Sequence, residues 1–491
     1  DFGGKGLTID EFPCYFLAKA TGRPVRRVQT YTDELQGMTT RHRAYVTLKS
    51  AVDEHGKFIA HRSEMLYDGG AYAAGKPTPS LLQAIGYGTV PYQVPNVRLD
   101  IRSVYTNTIP AAHMRSPADV QTYFAWEQHV DIIAQDLGID PIEFRMLNVI
   151  RDGDTALTGE LVRAPRAYAV LEALRQNARW DESLRAGRGR GVALVCRHTG
   201  HGKTSLRLRL TPDGRIEVVT GVPDQGSGGH TVIRRVAAAV LSVAPERIDV
   251  RRGNTAEAAI DPGAGASRVT HIAGGAAKNG AERMRERIER EWGLTLRDDA
   301  FVDPRTGKTE SFENVAARHD VLETTGVFDG EYHDPSDPGD YSCSAFCLDV
   351  DVDRETGAFH IVDALLVAEV GQIINPTAHQ GQLEGGFIYG IGGAIMEEMP
   401  IDEHGKIATL SLGEYKLPTM RDIPPLRTVL VKAGPAKGPY GAKMAGELSN
   451  SGVAPALANA VHRAVGIRLW EFPVTSERIY AALANAGAAD R

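Results

Sequence analysis

The chain has 491 residues, of which 42% are hydrophobic, 24% charged and 7% aromatic, with a formal net charge of −7. This profile suits two to four soluble globular domains with sizeable cores and leaves no bulk positive field for nucleic acid or an anionic membrane. Its four cysteines, Cys14, Cys196, Cys343 and Cys347, are too few for a disulfide framework, and no apolar run is long enough to span a bilayer.

The first residues, Asp1-Phe2-Gly3-Gly4-Lys5, lack a Met and lie inside a glycine-rich loop. They read as the start of a truncated, processed or split product, whose missing N-terminus leaves a targeting signal open. A helix is expected over 9–20, stopped by Gly22 with Pro24 beyond. Residues 24–32, PVRRVQTYT, read as a strand. Val46, Leu48, Ser50 and Val52 alternate, DEHGK turns, and 58–67 form a second strand. YDGGAYAAG is a loop of small residues, and a further strand is expected over 97–106. The stretch NTIPAAHMRSPADVQ, 107–121, precedes a helix whose stripe of Val120, Phe124, Val130, Ile133 and Leu137 ends at Gly138. Asp140 then caps another helix, with Pro141 in its first turn and Glu143 completing a capping box.

Residues 151–190 read as a polar connector with one helix near 166–178 and an exit, RAGRGRG, that is a solvated linker rather than a binding patch. The domain boundary is placed here, giving 1–165, a connector 166–190 and 191–491. A hairpin follows, with Leu206, Leu208 and Leu210 turning at Pro212-Asp213-Gly214 into Ile216 and Val218. GVPDQGSGGHT runs into a helix bearing Val232, Val236 and Val240, and DPGAGASRVT precedes a long charged helix near 272–292. Cys343 and Cys347 lie in YSCSAFCLDVDVD, which reads as a strand, so both are structural cysteines rather than a metal knuckle. That strand belongs to a hairpin turning at 355–357. GQLEGG then starts a helix at Gly381. Finally GPYGAKMAGELSN, 438–450, places Glu447 on a tight loop ahead of a helix with Leu457, Val461 and Val465, stopped by Gly466. Strands and helices alternate irregularly, so the fold class is α+β and not a doubly wound sheet.

Glycine-rich loops ahead of helices recur at Gly3, Gly226, Gly263, Gly381 and Gly441. One such loop is usually only a turn, and Glu447 alone would read as a solvated surface residue. Five suggest a large phosphate-bearing ligand held by main-chain donors from several segments. No G-x-x-x-x-G-K-[ST] loop, G-x-G-x-x-G fingerprint or G-x-S-x-G elbow is present. No H-E-x-x-H and no clustered His/Cys set offers a metal direct side-chain ligands.

The order FGGK, DGGAY, YTN-x-x-P, MRSP ahead of DPIEFRMLN, DQGSGGHT, SRVT, NP with GQLEGG, and GAKMAGE resembles the molybdenum hydroxylases, the family of xanthine dehydrogenase, aldehyde oxidase and aerobic carbon monoxide dehydrogenase. The resemblance covers nearly the whole chain. It implies two elongated mixed α/β molybdopterin-binding domains with the active site at their interface, and lacks the portion that precedes FGGK in the family. It implies molybdenum held by a pterin dithiolene, as molybdopterin or its cytosine dinucleotide, with 2Fe-2S and FAD on partner subunits. The compartment implied is the cytoplasm, with the periplasm left open by the missing N-terminus.

By this resemblance Glu447 ends the family's GxKGxGE motif and is the general base that takes a proton from the oxygen nucleophile at the metal. Lys443 and Gly446 belong to the same cofactor-binding loop, in which Met444 replaces a glycine. Arg115 stands where the family orients substrate or stabilises negative charge, the alternative being a structural pairing near the next helix. Phe2 and Gly3 match the loop beside the metal's oxo ligand. Gln382 matches a pterin-binding glutamine, or else is a polar residue of a helix start. Gly226, Ser227 and Gly228 replace a GQG, Ser267 and Arg268 match an SR pair, and His230 reads as a structural cap. Ser116 stands where carbon monoxide dehydrogenases carry a copper-binding cysteine, and Gly6 where xanthine-type enzymes carry a second carboxylate. The expected substrate is therefore an aldehyde or an N-heteroaromatic. The alternative is a non-catalytic or fragmentary molybdopterin-binding scaffold.

Overall fold

The computed structural model describes residue 3 and residues 10–73, 77–87, 90–254, 256–258, 261–330 and 339–489. Phe2 and the rest of the FGGKG loop apart from Gly3 lie outside them. The chain opens with α1 (Glu11–Thr21), closed by Gly22 in the left-handed conformation. The strand expected over 24–32 does not form. Thr30 and Asp33 instead make a reciprocal capping box that starts α2 (Tyr31–Gly37). Local side-chain capping thus outweighs the β-rich composition of VQTYT.

β1 (Arg43–Val52), β2 (Phe58–Asp68) and β3 (Asn96–Val104) form a three-stranded sheet, antiparallel then parallel. Helices α3 (Pro79–Tyr87), α4 (Asp119–Asp136) and α5 (Pro141–Asn148) follow. The Asp140 carboxylate accepts from the amides of Ile142 and Glu143, as the Asp-Pro signal requires. β4 (Val162–Arg163) and α6 (Ala167–Asn177) then lead to β5 (Arg188–His198). Val170, Leu171 and Leu174 of α6 are buried, so the middle of the polar connector is anchored in a core.

β6 (Lys203–Leu210), β7 (Ile216–Thr220) and β8 (Ile248–Arg252) make a second sheet with a later strand, and α7 (Gly229–Leu241) and α8 (Val269–Arg287) pack on it. A small sheet of β9 (Thr295–Arg297), β10 (Ala300–Val302) and β11 (Thr309–Glu310) precedes α9 (Phe312–Ala316) and β12 (Leu322–Asp329), the strand that pairs with β6. The longest strand among the described residues, β13 (Gly339–Val352), pairs with β14 (Phe359–Glu369) on one edge and with β5 on the other, and its first two residues pair with β4. After α10 (Pro376–Ile395), β15 (Leu426–Leu430) joins β14 in parallel, and α11 (Val453–Val465) and α12 (Ser476–Ala489) close the fold.

β13 is the spine. Cys343, Ala345 and Cys347 face one core with α6, while Phe346, Leu348 and Val350 face another with α10 and α11. A strand covered on both faces reads as a near-continuous apolar run, which SAFCLDV is. Cys196 and Cys343, directly opposed on β5 and β13, form a disulfide, and Cys347 is a buried free thiol. β5 can lie this close to α11 only because of glycine: a Cβ at Gly191 would stand 2.2 Å from the Ala456 carbonyl and from the Ala460 nitrogen.

Gly191→Ala should therefore destabilise the protein by about 1–3 kcal/mol through overpacking, read as a lower denaturation midpoint. An unchanged midpoint would show that strand and helix are not in such contact.

Candidate active site

Segments distant in sequence line one cavity of about 660 Å³, six of them bearing on its chemistry. They are the turn before α4, the end of β5, the loop entering α7, the loop entering α8, and the pair formed by α10 with the loop that carries Glu447. Arg115, Ser227, Ser267, Arg268, Gln382, Gly446 and Glu447 all line it. Gly226 and Gly228 flank Ser227, both with left-handed φ (85° and 79°). Gly3 bridges Met114, itself on the cavity wall. The glycine turns thus meet, with Glu447 where they meet.

One expected loop is different. Gly381 lies inside α10, which begins at Pro376 under an Asn375 cap that accepts from the Ala378 amide. The Asn-Pro pair sets the helix start, so Gln382 reaches the cavity from the helix's second turn and not from a glycine loop.

Glu447 has a side chain only 13% exposed. Its Oε1 accepts from the Ser116 amide at 3.2 Å, and its Oε2 from Arg197 Nε at 3.1 Å and Ser267 Oγ at 3.4 Å. Ser116 and Ser267 both adopt positive φ, 56° and 52°. Backbone strain in non-glycine residues concentrates at functional sites, and here both strained turns abut the same carboxylate. The Ser116 hydroxyl faces away, 2.6 Å from both the Glu447 carbonyl and Asn450 Oδ1. Arg115 is buried and donates to the carbonyls of Gly446 and Gln382, so it fastens the Glu447 loop to α10 while lining the cavity. Burial lowers its guanidinium to about 10.

Lys443 lines the cavity, but its side chain has no exposure. Its ammonium sits 2.9 Å from Glu369 and 3.0 Å from the Tyr341 carbonyl. The lysine is therefore a buried structural anchor, and what it presents to the cavity is main chain. Met444 packs into the core beneath the loop, and its carbonyl accepts from Ser342 Oγ at 2.8 Å. His230 bonds the Val222 carbonyl at 3.0 Å, a structural contact.

Two residues of the site went unnoticed in the sequence. Arg197, 2% exposed, bridges Glu447 and Asp119, which is 1% exposed. The available signal was a lone arginine ending the apolar run GVALVC in β5. Burial raises the Asp119 carboxyl to about 7 against the pull of Arg197, and the two carboxylates hold Arg197 above the ordinary arginine value. The imidazoles around the cavity are neutral. Burial lowers His198 to about 3 and His201 to about 4, and lowers His113 as well. Positive charge on the wall comes from Arg115, Arg197 and Arg268.

The wall also suits an anion. Neither the N-cap of α7, Gly228, nor that of α8, Arg268, makes a side-chain cap hydrogen bond among the described residues, and both helix starts border the cavity. Uncapped helix starts present free amides and a positive dipole end to anionic groups. His379 Nε2 is buried at the cavity without a hydrogen-bond partner. Among the described residues, no group of three or more His, Cys, Asp or Glu side chains could hold a metal ion. A metal arriving on a phosphorylated organic carrier fits this donor set, whereas one bound by side chains does not.

Two outcomes are expected. Lys443→Met would leave Glu369 buried without its cation and cost about 3–5 kcal/mol; denaturant unfolding measures this, and pairing it with Glu369→Gln should recover part of the loss. His198 and His201 stay neutral when folded but titrate near 6.5 when unfolded. Unfolding then takes up protons below about pH 6.5, so stability present above that pH is lost as pH falls toward about 4. The melting temperature should decline across that window, and His201→Gln should lessen the decline.

Two family models, both described as a molybdopterin cofactor-binding domain, match residues 1–149 and 167–424. The xanthine dehydrogenase molybdenum-binding subunit of Escherichia coli O157:H7 is 29% identical over 530 residues, covering 98% of this chain and 67% of its own length. The aldehyde oxidoreductase molybdenum-binding subunit PaoC of the same organism is 28% identical, over 97% of this chain and 66% of its own. Among solved structures, quinoline 2-oxidoreductase from Pseudomonas putida 86 superposes with a TM-score of 0.88 at 25% identity, covering 98% of this chain and 67% of that one. The aldehyde oxidoreductase of Desulfovibrio gigas gives 0.86 at 27% identity, over 99% and 54%. The chain spans about half to two thirds of the length of such relatives, from 53% to 68%.

Proposed function

The chain belongs to the molybdenum hydroxylase family, and we propose that it forms the molybdopterin-binding catalytic part of an enzyme that hydroxylates an aldehyde or an N-heteroaromatic carbon with oxygen from water. The observation that carries this reading is Glu447, the one carboxylate among the described residues that line the cavity, at the meeting point of the cofactor-suited loops. When bound, the cofactor would supply the redox centre that accepts the electrons and the site at which the oxygen nucleophile is activated. The free amides at the starts of α7 and α8, with Arg268, would hold its phosphate, and Gln382 its pterin.

Glu447 takes the proton from the nucleophile. Ser116, Arg197 and Ser267 fix its two oxygens, so it needs little reorientation during the reaction. The cavity lining also includes Met38, Leu81, Ile85 and Met114, which favour an uncharged, largely apolar substrate that buries its faces while its reacting carbon meets Glu447. The Ser116 hydroxyl is directed at Glu447 and Asn450, so it offers no metal ligand in place of the cysteine of carbon monoxide dehydrogenases.

Electrons would leave to 2Fe-2S and FAD carried on partner subunits. The name of one relative, 6-hydroxypseudooxynicotine dehydrogenase complex subunit gamma of Paenarthrobacter nicotinovorans, describes such a multi-subunit setting for that protein. No helix among the described residues is long and apolar enough to cross a membrane. The family resemblance supports a cytoplasmic complex, with a periplasmic one as the alternative. The test uses the native complex. It should reduce a dye in the presence of one or more aldehydes or aza-aromatics, and Glu447→Gln should lower turnover by about 10²–10⁴-fold with molybdenum content retained. Unchanged turnover would remove Glu447 from the mechanism, whereas a wild-type complex that reduces no dye with any of these substrates would leave the scaffold reading.

A further inference from the structure

We infer that Arg197 is a positioning residue for Glu447, keeping its carboxylate ionised and aimed into the cavity, and that Asp119 holds Arg197 in place. This rests on the reading of Glu447 as the proton acceptor. Arg197 leaves the end of β5 with its guanidinium buried between two carboxylates. Nε and Nη2 lie 3.1 and 3.0 Å from Glu447 Oε2, and Nη1 contacts Asp119 Oδ2. Asp119 is the first residue of α4, on the far side of the Ser116 turn, and its other oxygen has no hydrogen-bond partner among the described residues. One guanidinium thus ties the strand that carries it to the two segments that build the base.

The physical need is specific. A carboxylate this enclosed is driven toward its neutral form unless a cation faces it. A cation given wholly to Glu447 would instead weaken it as a base. Arg197 divides its planar fork between Glu447 and Asp119, which a lysine ammonium cannot do with the same geometry. Other charged groups near Glu447 include Arg41, Arg115 and, on the same cavity wall, Arg268. Arg41 donates to the Arg115 and Ser116 carbonyls, and Arg115 to those of Gly446 and Gln382. The imidazoles of His113 and His198 also face it, and burial lowers both. Arg197 is therefore a cation whose guanidinium touches the Glu447 carboxylate directly, while the neighbouring arginines direct these hydrogen bonds to main-chain carbonyls.

The test compares wild type, Arg197→Met and Arg197→Lys in the assembled, cofactor-loaded complex. Arg197→Met should lower kcat by about 10–100-fold, with KM and molybdenum content little changed. The acid limb of its kcat/KM profile should move up by about one pH unit or more. Arg197→Lys should return the acid limb to its wild-type position while recovering only part of kcat. A second readout needs no activity: the melting-temperature deficit of Arg197→Met should be largest above the carboxylate range and shrink on acidification, as protons replace the lost cation. Should Met prevent folding, Arg197→Gln removes the charge while keeping donors, and its acid limb should move up likewise. An acid limb that stays in place with a deficit independent of pH would overturn the inference. If Glu447→Gln abolishes turnover while the Arg197 variants leave the acid limb unmoved, only this inference fails; if Glu447→Gln retains turnover, the functional reading fails first.

Discussion

One carboxylate is gripped from both halves of the molecule. The Ser116 amide comes from the segment before α4, and the Arg197 guanidinium from β5. Each contact lies within hydrogen-bond range, at 3.2 and 3.1 Å, and each is enclosed enough that water competes poorly for it. The Ser116 turn is held in turn by Arg41, which donates to the Arg115 and Ser116 carbonyls, and by Asn450, which donates to the Arg115 carbonyl. If Glu447 left this grip, the turn before α4 and the loop before α11 would lose a shared anchor. Their positive-φ serine would then be strain without compensation.

The architecture makes that grip durable. β13, buried on both faces, fixes β5 on one edge and β14 on the other, and β5 delivers Arg197. The strand after the hairpin, β14, ends at Glu369, whose pair with Lys443 pins the start of the Glu447 loop. The same buried sheet therefore sets the positions of both the cation and the carboxylate it holds. The helix starts of α7 and α8 come from a separate core, and they approach the cavity without a side-chain cap hydrogen bond from either N-cap residue. An anionic group there joins the two cores through electrostatics rather than apolar packing.

Much of this was legible in the sequence. Alternation gave β1, β2, β6 and β7, and the Asp140-Pro141 and Gly466 signals marked the ends of α5 and α11. The glycine loops, being local features, pointed to a phosphate-bearing ligand, and the motif resemblance singled out Glu447. What stayed hidden depends on partners far apart in the chain. Arg197 and Asp119 are 78 positions apart, and no local pattern shows that a buried arginine will split its fork between Asp119 and Glu447. The ion pair of Lys443 stayed hidden for the same reason: its motif position is local, but Glu369, which takes its charge, is 74 residues away. The expected strand at 24–32 was lost to a four-residue capping box, and the helix start at Gly381 to the Asn375-Pro376 pair upstream. In both, a specific cap outranked composition.

The central claim is that the glycine turns and the two uncapped helix starts surround a single molybdenum-bearing pterin whose metal faces Glu447. An anomalous-difference map recorded across the molybdenum edge on crystals of the native complex tests it most directly. The account predicts a molybdenum peak inside the cavity beside Glu447, with pterin phosphate density at Gly229 and Arg268. A peak elsewhere in the molecule, or a fully assembled complex with none, would contradict it.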